Sequence, residues 1–388
     1  MASPTVTLYS STDSGAPVLS GTPGSLISVL NACLVSGYGS KSGAGWSLLG
    51  QGTSTSNPNT AMFKMGSGTE CVLYIWDDAA LINGCYPAQA IGGGPTSTFA
   101  GGLVSPFPNS SVPTANTTQV FIAKSTQATA AAGVPWWIIA TSNMLYLVTS
   151  PGICGGATYT SMTTQFCHVF AFGDLYGLKS GDSGGCLIMG EDTWPQLGGS
   201  QGWPEFRSCG AAMAKVGSAM IEPNGSHFLY TTGNGLTSSP AAGKMMDQSL
   251  FIGVTDFNIN QNGPNSIMVY NTGMVVGMGC NPNTAGVQIP NTYDQGYYLS
   301  PIRIFGAGDG VRGYMPGIWA PQQNTPFQAG IVFSAPSGQF AGKSFIAFPI
   351  PIYSGNQFTN ASTPIMNNAG AQRFNTGQVV IEVSSTWS

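Results

Sequence analysis

Residues 136–148 read WWIIATSNMLYLV and by themselves predict a β-hairpin. Two apolar runs rich in aromatic and branched residues, Trp136–Ala140 and Met144–Val148, flank the short connection Thr141–Asn143. Runs of this composition are typical of strands. A three-residue connection that ends in Asn favours a hairpin whose last loop residue is left-handed. We therefore expect two antiparallel strands in this stretch.

Similar short apolar runs, bounded by turn residues, recur on both sides of this hairpin. They predict strands at residues 61–65, 71–76, 166–172, 227–231, 249–255, 266–270, 297–305, 328–333, 343–348 and 378–383. Many short strands separated by Gly, Pro and Asn are typical of antiparallel sandwiches and barrels. The predicted fold class is therefore mainly β, with antiparallel sandwich or barrel units and long loops rich in Gly, Pro and Ser.

One short helix is expected near residues 23–36, packed on a sheet. Thr22 offers an N-cap, and Pro23 suits the first position of a helix. Apolar residues from Leu26 onward recur at helical spacing, and Gly37 is placed to end the helix. The resulting helix would have about three turns and one apolar face.

The chain of 388 residues is too long for one compact core, so two or three packed units are the starting expectation. The predicted organisation has four parts: an N-terminal β-rich domain at 1–190, an aromatic loop at 191–210, a C-terminal β-rich domain at 211–356 and a C-terminal arm at 357–388. The amide-rich arm is expected to order only against a neighbouring subunit. Residues 91–118 are expected to form a second long loop.

Three tryptophans are the candidate contact residues. Trp194 and Trp203 lie in the predicted aromatic loop, and Trp319 lies in the C-terminal domain. Exposed aromatic side chains usually mark contact surfaces, so these residues are candidates for subunit interfaces. The alternative is that the loop folds back onto its own sheet.

The chain is unusually poor in charge: Lys, Arg, Asp and Glu together make up 7% of its residues. Gly supplies 54 positions and Pro 26, yet 42% of the residues are hydrophobic, which is enough apolar surface to favour an ordered protein. A surface with few charges promotes association. We therefore expect a permanent oligomer.

Charge and hydropathy also argue against two classes of partner. The net charge is −4 and the eleven basic residues are scattered, whereas binding to nucleic acid relies on clustered Lys and Arg. No stretch has the roughly 18 consecutive apolar residues of a membrane span, so we expect no membrane insertion. The first residues show neither a basic segment nor an apolar signal core, so we expect assembly in a cytoplasm.

None of the eight cysteines forms a Cys-x-x-Cys pair, so the spacing indicates neither a zinc cage nor a thioredoxin-type centre. Several lie among apolar neighbours, which favours reduced, buried thiols. The alternative is disulfides that form after release from the cell, with Cys71–Cys85 and Cys154–Cys167 as the easiest local pairs.

Residues 181–185 read GDSGG, the sequence found around the nucleophile of chymotrypsin-like proteases. Those enzymes need a histidine far upstream of the serine, and neither histidine of this chain lies before position 168. A convergent triad of His168, Asp174 and Ser183 would have to come from one short segment, with little freedom to converge. We therefore interpret the motif as a turn that leads into a strand, and we predict no catalytic residues.

Two acidic pairs are the candidate metal ligands: Asp77 with Asp78, and Asp174 with Asp182. Asp residues beside Gly more often form turns. Nothing in the sequence selects two facing carboxylates for a glycosidase. We predict no metal and no cofactor.

Several segments are similar, in the same order, to a group of tailed-bacteriophage virion structural proteins. The N-terminal run SGAPVLSGTPGSLI at 14–27, with its continuation to residue 39, carries the most specific likeness. Weaker likenesses lie at residues 73–78, 136–148, 172–182, 299–302 and 311–319. Together they extend from Thr7 to about Pro351.

The resemblance implies a virion part and carries no catalytic residues. We expect a structural protein of the tail, at its tip or baseplate, that acts by self-assembly and contacts other copies of itself and other virion proteins. One alternative is a head protein that decorates or cements the capsid. Another is a receptor-binding or glycan-binding tail module, in which Trp194, Trp203 and Trp319 would stack on sugar rings of the host surface.

Overall fold

The computed structural model describes residues 4–54, 57–77, 86–94, 120–125, 133–150, 167–177, 185–189, 212–215, 299–306, 310–321, 329–351, 365–368, 371–374 and 376–387. Over these residues the protein is mainly β, as predicted. The strands are β1 (Thr7–Ser10), β2 (Ser47–Ser54), β3 (Asn57–Lys64), β4 (Val72–Trp76), β5 (Tyr86–Gly93), β6 (Val120–Ser125), β7 (Trp136–Thr141), β8 (Met144–Thr149), β9 (His168–Asp174), β10 (Tyr176–Gly177), β11 (Gly185–Met189), β12 (Ala212–Lys215), β13 (Leu299–Gly306), β14 (Gly310–Pro321), β15 (Ile331–Ser334), β16 (Ser344–Pro351), β17 (Ile365–Asn368), β18 (Ala371–Phe374) and β19 (Thr376–Glu382).

The strands form three larger sheets and the separate hairpin β17–β18, and each recorded strand pair is antiparallel. Sheet I has the order β1-β7-β8-β9-β11-β12. Sheet II is the simple meander β2-β3-β4-β5-β6. Sheet III has the order β10-β14-β19-β16-β15, with β13 also paired to β14. The prediction of antiparallel sheets is confirmed.

Sheet I is the middle layer of three, because both of its faces are buried. Ile138, Leu145 and Phe172 point into a core shared with sheet II and the helix. Their neighbours on the opposite face include Ile139 and Tyr146, which point into a core shared with sheet III. Successive side chains of a strand alternate between faces. A sheet covered on both faces therefore requires the continuous apolar runs seen in the sequence.

The hairpin predicted at 136–148 is confirmed, but its turn is shorter than expected. Thr141 pairs directly with Met144, so the loop has two residues, Ser142 and Asn143. Among the described non-glycine residues only Asn59 and Glu70 have positive φ, so the prediction of a left-handed Asn143 was wrong. Asn143 is held instead by β9: its carbonyl accepts a hydrogen bond from the Asp174 N–H, and its amide donates to the Asp174 carboxylate.

The predicted helix is confirmed in place but begins later than expected. Helix α1 spans Ser25–Leu30 and continues into a π-helical turn at Asn31–Ser36. Gly24 is the N-cap, with a φ of 79° and no side-chain capping bond, so Thr22 and Pro23 precede the helix. The N–H of Ser25 donates to the Thr22 carbonyl, so Thr22 belongs to the turn before the helix and is not its N-cap. The helix ends before Gly37, as predicted.

Most of the remaining strand predictions can be compared with the structure. Those at 61–65, 71–76, 166–172, 297–305, 328–333, 343–348 and 378–383 each overlap an observed strand. Those at 227–231, 249–255 and 266–270 lie outside the described residues. The loop predicted from residue 91 was wrong at its start, because residues 91–93 complete β5 and pair with β4. The rest of that loop lies outside the described part, except for residue 94.

Strands from both predicted domains share one core. The short strand β10 pairs with β14, and Tyr146 of β8 donates a hydrogen bond from its hydroxyl to the Pro316 carbonyl at 2.6 Å. The predicted arm includes β19, which lies between β14 and β16 in sheet III. Trp387 then packs on Tyr146, with ring centroids 5.8 Å apart. Residues 376–387 therefore contact the body of their own chain, and the expected ordering of the arm against a neighbouring subunit stays a prediction.

Candidate assembly surface

Five large apolar side chains are exposed in the described part of the chain. They are Val18 (50%), Leu49 (47%), Tyr176 (41%), Ile331 (46%) and Val332 (51%). Isolated exposed apolar residues are ordinary. Ile331 and Val332 differ because they are adjacent and lie on β15, the last strand of sheet III. Strand β15 is therefore the candidate assembly surface of the described residues.

Strand β15 is fixed on its inner side by a regular ladder with β16. Val332 lies opposite Ile346, Phe333 opposite Phe345 and Ser334 opposite Ser344. The ring of Phe333 stacks on that of Phe345, with centroids 5.8 Å apart and an interplanar angle of 26°. The strand is thus a firmly placed edge, although it has only four residues.

The main-chain groups that β15 turns outward can be identified from the ladder. The N–H of Ala335 donates to the Lys343 carbonyl at 2.9 Å, and these residues continue the register of the ladder. Hydrogen-bonded pairs alternate along an antiparallel ladder. Phe333 therefore bonds to β16, while the N–H and C=O groups of Val332 and Ser334 point away from it. No hydrogen bond from these outward groups is found among the described residues.

The edge of sheet I at β1 shows the opposite arrangement, because several of its outward groups are bonded. The Lys41 ammonium donates to the Leu8 carbonyl at 2.7 Å. The Ser10 N–H donates to the Asp13 carboxylate at 2.8 Å, and the Val6 N–H donates to the Ser385 carbonyl at 3.0 Å. Charged side chains on an edge strand block pairing with another chain. Within the described part of the chain, side chains and neighbouring segments thus cover the edge at β1, whereas nothing pairs with the outer side of β15, which we call the open edge.

Trp319 is the one candidate contact residue that the structure describes, and it is half-buried. It lies on β14, and its ring packs against Phe340 with centroids 4.8 Å apart. Its indole nitrogen is buried without a hydrogen-bond partner. Trp319 is thus anchored to its own sheet by Phe340, and its role as a contact residue stays a prediction. Trp194 and Trp203 lie outside the described residues.

The described cysteines are all free thiols in the interior: Cys33, Cys71, Cys167 and Cys186. Burial raises the pKa of the Cys167 thiol to about 12. The free state of Cys71 and Cys167 agrees with the reduced alternative and not with the local pairs Cys71–Cys85 and Cys154–Cys167. Cys85 and Cys154 themselves lie outside the described residues.

The convergent triad is ruled out by the positions of His168 and Asp174. Both lie on β9, six residues apart. A strand rises about 3.3 Å per residue, so their Cα atoms are about 20 Å apart, whereas a triad needs a direct hydrogen bond between the two side chains. The Asp174 carboxylate instead accepts hydrogen bonds from the N–H and the hydroxyl of Thr69. Ser183 lies outside the described residues, and the predicted strand after it is confirmed as β11.

Asp77 and Asp174, the candidate metal ligands that the structure describes, have other partners. The Asp77 carboxylate is paired with the Lys124 ammonium, and both side chains are fully buried. Asp174 bonds to Thr69 and Asn143. Asp78 and Asp182 lie outside the described residues, and no group of metal-ligating side chains occurs among the residues that are described. Within the same residues, no helix is long and apolar enough to cross a membrane.

The sequence had predicted the strand at 328–333 but not its position at the edge of a sheet. Pro336, two residues beyond β15, was the available signal, because proline is confined to edges and ends of sheets.

Comparison with known proteins does not assign this chain to a family: no protein-family model and no curated protein matches it.

Proposed function

We propose that this protein is a structural component of a tailed-phage virion, attached to the tail at its tip or baseplate, and that it acts by self-assembly. The observation that carries the proposal is the open edge at β15, which presents exposed Ile331 and Val332 on a chain with only 7% charged residues. The segments that resemble virion proteins, above all residues 14–39, supply the context.

The proposed mechanism is architectural. Three packed layers form a body with an apolar core on each side of sheet I, in which Tyr146, Phe172 and Phe348 are fully buried. Close-packed interiors deform little, so a subunit of this kind keeps its contact surfaces at fixed positions when it binds its neighbours. Its contacts would be made by the open sheet edge, with other copies and with other virion proteins. The proposal includes no catalytic step, no cofactor and no metal.

The experiment is to locate the chain in purified particles. Peptide mass spectrometry of gradient-purified virions should detect it, and particles labelled with an antibody to it should carry gold at the tail tip. Label over the capsid would support the decoration or cement role instead. Purified particles that lack the chain, while infected cells contain it, would contradict a virion role altogether.

A further inference from the structure

We infer that β15 pairs in antiparallel fashion with β15 of a second copy of this chain, about a two-fold axis beside Phe333. The inference rests on the proposed function and names the partner of the open edge. It follows from three features of the described residues: the direction of the outward main-chain groups, the residues that end the strand and the absence of charge along it.

The main chain selects a single register for such a pair. Outward N–H and C=O groups belong to Val332 and Ser334, so each must face an outward residue of the other copy. If Ser334 faced Ser334, Val332 would face Pro336, which has no N–H. If Val332 faced Val332, Ser334 would face Gly330, whose N–H already bonds to the Ala347 carbonyl at 3.0 Å. Val332 opposite Ser334 remains, and it forms hydrogen bonds from all the outward groups of both strands.

This register places Phe333 opposite Phe333 of the second copy. They form a non-hydrogen-bonded pair, in which the side chains of an antiparallel ladder approach most closely. Phe333 already stacks on Phe345 in its own sheet. The two-fold pair therefore continues a row of four aromatic rings across the joint, and aromatic cross-strand pairs stabilise sheets.

The absence of charge favours a second copy over an unrelated strand. A two-fold interface places each residue close to its own equivalent, so any charged side chain at its centre would face a like charge. Residues 329–342 contain no Asp, Glu, Lys or Arg. Lys343, the nearest charge, is engaged with Glu382 at 2.9 Å and with the Thr386 carbonyl at 3.0 Å. By contrast, the capped edge at β1 has Lys41 and Asp13 beside it.

The first experiment measures association of the purified full chain by sedimentation equilibrium over a range of concentrations. The Val332→Pro variant removes one outward N–H in each copy and no hydrogen bond to β16. Dimerisation should weaken at least about tenfold, because two intermolecular hydrogen bonds are lost. The Val332→Lys variant should also weaken dimerisation, because it places like charges across the two-fold axis. This variant tests the inference if Val332→Pro fails to fold. The matched control is Leu49→Lys, which adds the same charge at another exposed apolar residue and should leave the association unchanged.

The second experiment tests the register. A Phe333→Cys chain should form a disulfide-linked dimer under mild oxidation, seen on a non-reducing gel, because the Cα atoms of directly opposed non-hydrogen-bonded residues are about 4.5 Å apart. A Val332→Cys chain should cross-link much less, and the unmodified chain provides the background. A wild-type chain that stays monomeric, an association insensitive to both Val332 variants, or preferential cross-linking at position 332 would overturn the inference. None of these outcomes depends on whether the chain is found in virions.

Discussion

The Asp77 carboxylate and the Lys124 ammonium form an ion pair that has no access to solvent. Asp77 directly follows β4, and Lys124 lies on β6, the edge strand of sheet II. The same carboxylate accepts a hydrogen bond from the Leu26 N–H at 2.7 Å, and the ammonium donates to the Thr22 carbonyl at 2.9 Å. The pair therefore joins two strands of sheet II to the beginning of helix α1.

Removing the cation should destabilise the protein strongly. Lys124→Met leaves Asp77 buried without its counter-charge, and breaking a buried pair in this way costs about 3–5 kcal/mol. The free energy of unfolding, measured in urea at neutral pH, should fall by that amount. The matched control is Lys64→Met, because Lys64 pairs with Glu70 at 2.6 Å on the surface and such pairs contribute about 0–1 kcal/mol. Equal effects of the two substitutions would contradict the role given to the buried pair.

The same carboxyl should make stability depend on pH. Burial raises the pKa of Asp77 from 3.8 to about 6, although Lys124 lowers it in part. The folded protein therefore holds this proton more tightly than the unfolded chain. The stabilisation is complete below about pH 4 and is lost as the pH rises through about 6.

We therefore compare wild type with Asp77→Asn, which cannot titrate. The free energy of unfolding of wild type, relative to the variant, should fall by up to about 3 kcal/mol between pH 4 and pH 7. A relative stability that rises over this interval would mean that Lys124 dominates and that the pKa is lowered.

The buried thiols should be inert in the native protein. Cys33, Cys71, Cys167 and Cys186 are free and buried, and desolvation raises the pKa of Cys167 to about 12. The thiolate is the reactive form. Iodoacetamide at pH 8 should therefore leave these four residues unmodified, as read by peptide mass spectrometry, and should modify them fully in guanidinium. Rapid native modification would contradict their burial, and failure to modify them in guanidinium would indicate disulfides.

The hydrogen bond between sheets I and III should contribute measurably to stability. Tyr146→Phe removes the hydroxyl that donates to the Pro316 carbonyl at 2.6 Å in a fully buried position. Leaving a buried acceptor without its donor costs about 1–3 kcal/mol. Thermal or urea unfolding should show that loss. Tyr176→Phe, at an exposed position, should change the free energy of unfolding by no more than about 0.5 kcal/mol.

The sequence predicted those elements whose signal is local. The runs 136–140 and 144–148 became β7 and β8 because aromatic and branched residues favour strands wherever they are buried. The turn between these strands was predicted wrongly from the sequence. The conformation of Asn143 is fixed by hydrogen bonds to Asp174, which lies 31 residues further along the chain. The helix start was misplaced for a similar reason: the N–H of Leu26 in the first turn donates to the carboxylate of Asp77, which lies 51 residues further along the chain.

Composition and local pattern by themselves determined the class of the protein. Frequent turn residues, short apolar runs and few charges specify antiparallel β structure with a surface poor in charge, because these preferences act within a few residues. Only the tertiary structure decided which strands became neighbours. It put β1 beside β7, packed Trp319 against Phe340, kept His168 and Asp174 apart, and left Val332 exposed on the last strand of sheet III. Those outcomes depend on contacts between residues that lie far apart in the chain. A local sequence pattern does not specify which of several possible contacts forms.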